Sequence, residues 1–388
     1  MSRDRLHRAR GRELELEASP ESCAAACQAA LRDGEGERAR DYLRGALEEF
    51  PRAPELLELA ATLSPGDPWP AFGGVGGRRA GAFPGPVRGV QSWRWELPNS
   101  PGLEPVADAR GGAWTFARES LVRLDRSGLS DSLETPRGAG FLSLESGRPH
   151  WYDPALGTLS QRPAWRYVRS ESGPLVAWEG DQLEGTGSGD LGWRRRVSNL
   201  WRVAAGRAAF ALLSSSSISG LDVELADVHS GQALGPSRAL EADFQASWYR
   251  VAAVPSQDQE RFLISTGKHV GLYDEGLETL WERALPEVNF ACDGRQVVLA
   301  GEGGLQVLDL ETGQKRWALP GLDVYGSPAI DGRGWVYVIS GGTLLCFDRR
   351  GQRRLRVELG SLGPLGSPVL GGPGQLYLSA GKSLVCVV

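Results

Sequence analysis

Few residue types in this chain can do chemistry, and their spacing limits what that chemistry is. The four histidines are His7, His150, His229 and His269, and the five cysteines are Cys23, Cys27, Cys292, Cys346 and Cys386. Zinc asks for clustered ligands, commonly paired as HxxxH or CxxC. Neither pattern occurs here. Cys23 and Cys27 lie four apart, on one face of a predicted helix, which reads as packing. The odd cysteine count reads as free, buried thiols in a reducing compartment. Gly73-Gly-Val-Gly-Gly77 lacks the preceding strand, following helix and Lys-Ser/Thr ending of a phosphate loop. Gly267-Lys268-His269 lacks the same partners. Ser214 to Ser217 has no nucleophile-elbow frame. Carboxylates are plentiful, yet no spacing marks an acid/base pair. No catalytic, cofactor-binding or metal-binding residue is therefore assigned, and no cofactor is expected.

One basic cluster stands out: Arg349, Arg350, Arg353, Arg354 and Arg356, on a predicted turn and outer strand. Such a strip can meet an acidic partner, or it can guard a sheet edge by charge. The chain as a whole has a formal net charge of −5, so a general nucleic-acid binder is not expected. No run approaches the roughly 18 apolar residues of a membrane span. The basic then acidic start has no apolar core of a secretory signal, so a cytoplasmic location is expected.

The elements that position these residues fall into two textures. Residues 1–18 form a charged arm expected to be partly disordered. Residues 19–64 are rich in Ala, Leu and Glu at helical spacing, with Ser19 as cap and Pro20 at the first helical position. Helices are predicted from there to about Arg32, from Glu37 to Phe50 and from Pro54 to Leu63. Residues 65–91 are a Pro/Gly-rich connector.

From residue 92 onward the chain repeats. Gln296-Val-Val-Leu-Ala with Gly304-Leu-Gln-Val-Leu-Asp309 aligns with Trp335-Val-Tyr-Val-Ile and Thr343-Leu-Leu-Cys-Phe-Asp348. Both align with Gln375-Leu-Tyr-Leu-Ser and Lys382-Ser-Leu-Val-Cys386. Short apolar runs separated by Gly, Asp and Ser turns read as four-stranded antiparallel blades, polar on the fourth strand. A blade cannot cover both of its faces alone, so blades stack radially into a propeller. Third strands are predicted to end near Asp125, Asp153, Gly185, Asp227, Asp274, Asp309 and Asp348, with a last unit at the C-terminus. That is eight units; seven is the alternative, because residues 137–200 repeat poorly. The last unit lacks a fourth strand, and Ser92-Trp-Arg-Trp-Glu-Leu97 is available to supply it and close the ring over 92–388.

Leu308-Asp-Leu-Glu-Thr-Gly-Gln-Lys-Arg-Trp317 resembles the tryptophan-docking repeat of the PQQ-like (quinoprotein) eight-bladed propellers, with a looser copy ending in Trp281. Trp69-Pro-Ala-Phe-Gly-Gly74, followed by Arg79 and Gly81, is similar to the stretch preceding the propeller in that family. The resemblance implies that Asp274, Trp281, Asp309, Gly313, Trp317 and Asp348 lock blades together, with Trp93 and Trp95 on the closing strand. Family enzymes bind pyrroloquinoline quinone and Ca²⁺ and carry adjacent cysteines. This chain has no adjacent cysteines, and no calcium-ligand set maps onto it, so the resemblance implies the non-catalytic, BamB-like branch. Ala39, Leu43 and Ala46, followed by Pro51, resemble the second half of a tetratricopeptide (TPR) repeat. The expectation is a non-enzymatic, WD40-like bacterial scaffold that meets partner proteins through the propeller rim and the N-terminal helices. The alternative is a ligand-sensing or quinone-dependent propeller using its central funnel.

Overall fold

The computed structural model describes residues 19–32, scattered positions between 39 and 59, and most of 79–388. Beyond residue 79 it leaves out 82–83, 98–104, 109–110, 118–119, 135–142, 146–147, 151, 154–157, 161–165, 170–174, 180, 187–191, 218–219, 243–248, 255–258, 286–287 and 302. The charged arm, the glycine run at 73–77 and Trp69 lie outside the described residues.

Helix α1 (Pro20–Arg32) starts where its cap chemistry places it. The Ser22 amide donates to Ser19 Oγ at 3.2 Å, and the Ser19 amide donates to Ser22 Oγ at 3.0 Å. This reciprocal pair satisfies donors that a helix start otherwise leaves unbonded. The helix buries Cys23, Ala24, Cys27 and Ala30 against Ala39, Leu43, Ala46, Leu56 and Leu59, a core separate from all the others. Burial pushes the Cys27 thiol up to about 12.

The rest is mainly β. Strand β1 (Gln91–Glu96) comes first. Sheet 1 holds β2 (Val106–Ala107), β3 (Ala113–Ala117), β4 (Ser120–Asp125) and β5 (Gly128–Glu134). Two hairpins follow, β6 (Ser143–Glu145) with β7 (Arg148–His150), and β8 (Tyr152–Asp153) with β9 (Thr158–Ser160). Sheet 2 holds β10 (Arg166–Arg169), β11 (Leu175–Glu179), β12 (Gln182–Thr186) and β13 (Arg194–Arg196). Sheet 3 holds β14 (Leu200–Ala205), β15 (Ala209–Ser217), β16 (Gly220–Asp227) and β17 (Arg238–Glu241). Sheet 4 holds β18 (Arg250–Val254), β19 (Arg261–Ser265), β20 (His269–Tyr273) and β21 (Thr279–Ala284). Sheet 5 holds β22 (Asn289–Cys292), β23 (Gln296–Gly301), β24 (Gly304–Asp309) and β25 (Lys315–Leu319). Sheet 6 holds β26 (Tyr325–Ile330), β27 (Val336–Ser340), β28 (Thr343–Phe347) and β29 (Arg353–Glu358). Sheet 7 holds β30 (Val369–Leu370), β31 (Leu376–Ala380) and β32 (Ser383–Val387), and its fourth strand is β1.

The sheets are arranged as a β-propeller. First strands of successive sheets touch, β10 with β14, β14 with β18, β18 with β22 and β22 with β26, and β2 of the first sheet touches β30 of the last. Core layers lie between neighbouring sheets. Phe210 and Leu212 pack with Val176 and Leu183, and Val298 and Leu305 pack with Val336 and Val338. The second and third strands carry these residues on both faces, as buried strands do. The outer strands are polar: β21 is exposed at five of six positions. At the ring's seam, Trp93 lies opposite Cys386 and Trp95 opposite Leu384. The bond pair between Val90 and Val388 extends the ladder by one step.

Arg79 to Gly81, Gly85 and Val90 tie into sheets 6 and 7. Ala80 forms a parallel bridge to Ile330, and Arg79 donates to the carbonyls of Pro328 in β26 and of Pro368 just before β30, joining sheets 6 and 7. Farther along, the Gly85 amide donates to Asp331 Oδ2 and the Gly85 carbonyl accepts from Arg333.

Candidate interaction site

Of the predicted locking residues, Trp281, Trp317 and Trp95 each lie against a glycine of the neighbouring sheet, so one device recurs. The Trp281 indole donates to the Leu310 carbonyl of the next sheet at 2.7 Å. Its ring lies against Gly313, where a Cβ would come 2.7 Å from Trp281 Cδ2. Gly313 has φ +64°, a conformation that glycine adopts without steric cost. Trp317 lies against Gly351 (φ +77°) in the same way, tilted onto Phe347 at 6.1 Å. Trp95 lies against Gly128 and donates to the Asp125 carbonyl at 3.0 Å. Trp93 occupies the register position of Trp281 but contacts Tyr377 of its own sheet, 5.7 Å between ring centres.

Asp309 holds the turn that presents Gly313. Its Oδ1 accepts from the Thr312 amide and hydroxyl, and its Oδ2 accepts from Arg316. Asp348 does the same for the Arg350 and Gln352 amides, and Asp274 for those of Gly276 and Glu278. Asp125 is held down at about 2: against the opposing effect of burial, it accepts from Ser127, Ser130 and Arg123.

Sequence reading missed two parts of this system. Trp193 docks on Gly231 and donates to the Val228 carbonyl at 3.0 Å, joining sheets 2 and 3. Between sheets 3 and 4 an arginine takes the tryptophan's place, Arg238 donating to the Leu277 carbonyl. The buried pairs Asp331–Arg333 (2.6 Å) and Asp108–Arg123 (2.5 Å) were also missed. The Asp331-x-Arg333 spacing was the available signal for the first pair, while the second joins residues 15 apart and carries no local signal.

The five arginines of the basic cluster divide. Arg354 bonds Asp348, and Arg356 bonds Glu358 at 2.6 Å, so two of them are neutralised within their own sheet. Arg350 and Arg353 are exposed, and Arg349 is half-buried near Gly334.

Three other surfaces are available. In or just before the first strands, Arg250 donates to Asn289 Oδ1 at 3.0 Å, Ser327 reaches the same oxygen, and the Ser327 amide donates to Ser367 Oγ. Trp201 is 42% exposed nearby in β14 and meets Tyr249 edge-on. On the outer parts of the sheets, Val90, Leu129, Leu234 and Leu280 are exposed aliphatic residues. A cleft of about 340 Å³ is bordered by Gln182, Leu183, Glu184 and Arg194 to Arg196 of sheet 2.

Buried reactive groups are held neutral. Burial drives Cys346 and Tyr337 well above their usual ranges, helped by the negative Asp331 beside them. Cys386 is likewise pushed up to about 12 by burial. No helix among the described residues is long and apolar enough to cross a membrane.

No family model matches the chain, and no curated protein matches it. Among solved structures it is similar to BamB from Moraxella catarrhalis (13% identity, 71% of this chain and 79% of that one, TM-score 0.41). It is also similar to the Swd1 β-propeller domain of Myceliophteria thermophila (11%, 76% and 98%, TM-score 0.49). A streptogramin B lyase aligns comparably (10%, 76% and 97%, TM-score 0.49). Likenesses this distant say nothing about ligand or role.

Proposed function

We propose that the chain is a non-enzymatic, cytoplasmic scaffold built on an eight-bladed ring, in which residues 143–160 stand as the second blade. The TPR-like helical segment supplies a second contact surface. The observation that carries this reading is where the side-chain chemistry goes. Asp125, Asp274, Asp309 and Asp348 are committed to turns, while aliphatic side chains lie exposed on the outer parts of the sheets. A rigid ring with apolar spots on its periphery suits protein partners better than catalysis. Affinity purification of the native protein tests this, beside a variant carrying Leu234→Glu and Leu280→Glu. Partner chains held by the wild type and released by the variant are expected. Recovery of the protein alone with a stoichiometric small-molecule cofactor would overturn the scaffold reading.

A second reading places a small ligand at the central channel, favoured by the polar chain from Arg250 through Asn289 and Ser327 to Ser367. That same cofactor recovery is the result that favours it.

A further inference from the structure

In each four-stranded sheet, the hairpin joining the second and third strands fixes the register of the outer strand. The first residue of the third strand therefore marks one equivalent outer-strand position. Opposite Ser383, Ser120, Gly220 and Thr343, that position holds Glu96, Glu134, Glu241 and Glu358. In sheet 2 it lies opposite Gln182 and holds Arg196. The residue two before it shares its face, because side chains alternate along a strand. In sheets 7 and 6 these two positions form an ion pair, Arg94–Glu96 at 2.5 Å and Arg356–Glu358 at 2.6 Å. Sheet 2 has Arg194 and Arg196 instead. Arg194 bonds Glu184 of the adjacent strand at 2.9 Å, and among the described residues no carboxylate pairs with the exposed Arg196. Arg195 is spoken for on the other face, where it bonds Glu224 and the Gly231 carbonyl.

Sheet 2 has thus inverted a charge that four sister sheets keep negative, and it has done so at the border of the 340 Å³ cleft. We propose that this cleft binds an acidic segment of a partner protein, one of whose carboxylates pairs with Arg196, which stands where four sister sheets carry glutamate. The proposal rests on the scaffold reading and names the chemistry of the partner. A guanidinium offers two parallel N–H donors to a carboxylate, giving direction as well as charge. The volume suits one or two side chains, within the roughly 300–1,000 Å³ of ordinary ligand pockets. The net charge of −5 makes the attraction local to the cleft and disfavours long polyanions.

The probe is a fluorescein-labelled hexaglutamate peptide, read by fluorescence anisotropy against the full chain, with hexaglutamine as the uncharged comparison. Arg196→Glu recreates the Arg-x-Glu pattern of sheets 6 and 7, and Arg126→Glu changes the same charge on an exposed turn elsewhere, outside the basic cluster. Saturable binding of hexaglutamate is expected, weakened about tenfold or more by Arg196→Glu and by less than about twofold by Arg126→Glu. Both variants should melt as the wild type does. Absence of saturable binding, or equal loss in both variants, would overturn the proposal. Equal affinity for an oligothymidylate of matched charge would overturn the assignment to a peptide. Hexaglutamate binding lost in Arg196→Glu, in a protein that purifies without partner chains, would support the cleft and sink the scaffold reading alone.

Discussion

Gly313 and Trp281 provide the sharpest test of how neighbouring sheets are held together. Gly313→Ala asks a residue with a Cβ to adopt φ +64°, which costs about 1–2 kcal/mol. It also drives that Cβ to 2.7 Å from the Trp281 ring, an overlap worth about 1–3 kcal/mol more. Trp281→Ala removes a half-buried ring and its bond to the Leu310 carbonyl, together about 2–4 kcal/mol. Once the ring is gone, the overlap at residue 313 disappears and only the backbone cost remains. The double variant should therefore be about 1–3 kcal/mol more stable than the sum of the single changes indicates. Urea denaturation of the four proteins, followed by circular dichroism, measures the cycle. Additivity within about 0.5 kcal/mol would refute the idea that this glycine exists to receive the ring.

Deleting residues 92–97 should lower the melting temperature markedly while leaving the α1 cluster helical, because it exposes β32 along its whole length; an unchanged melting curve would count against the seam. Stability should fall as pH drops from about 4 to about 2, since Asp125 is held at about 2 and Asp227 and Asp309 are also lowered. The sign follows from depressed carboxylate values: this stabilisation is present above the unfolded-state value and lost as the native carboxylates protonate. Urea midpoints measured across that range should change less steeply in Asp125→Asn. All five cysteines are buried, so a thiol reagent should modify none in the native protein and all five after denaturation; rapid native labelling of Cys386 would contradict its packing.

The last three sheets were legible because they repeat with nearly one period, 39 residues from Asp309 to Asp348 and 40 from Cys346 to Cys386. Residues 143–160 were not, since strands of two or three residues are too short to display a period of two. Trp193 escaped notice because its strand reads Arg-Arg-Arg and a longer connection separates it from β12, so the Asp-Gly-Trp spacing is lost. The meaning of Arg196 was hidden for a different reason. In the sequence it is one arginine among forty, and only the cross-strand register shows that four of its sister positions are glutamates. The closing role of 92–97 was readable because a fourth strand was missing at one end and a spare one stood at the other.

The Val90–Val388 bonds have a consequence for how the molecule is made. Closing this ladder joins residues roughly 290 positions apart, at a loop-closure cost of about 5 kcal/mol. Such distant pairing forms slowly, and the intervening sheets must already be stacked before it is rewarded. Until then, β1 waits with its edge open through the synthesis of every other sheet, a natural point for a nascent chain to go astray. Because that last joint is made without a covalent bond, a ring re-cut at another turn and tethered across Val388 should reach the same fold with its slowest step relocated.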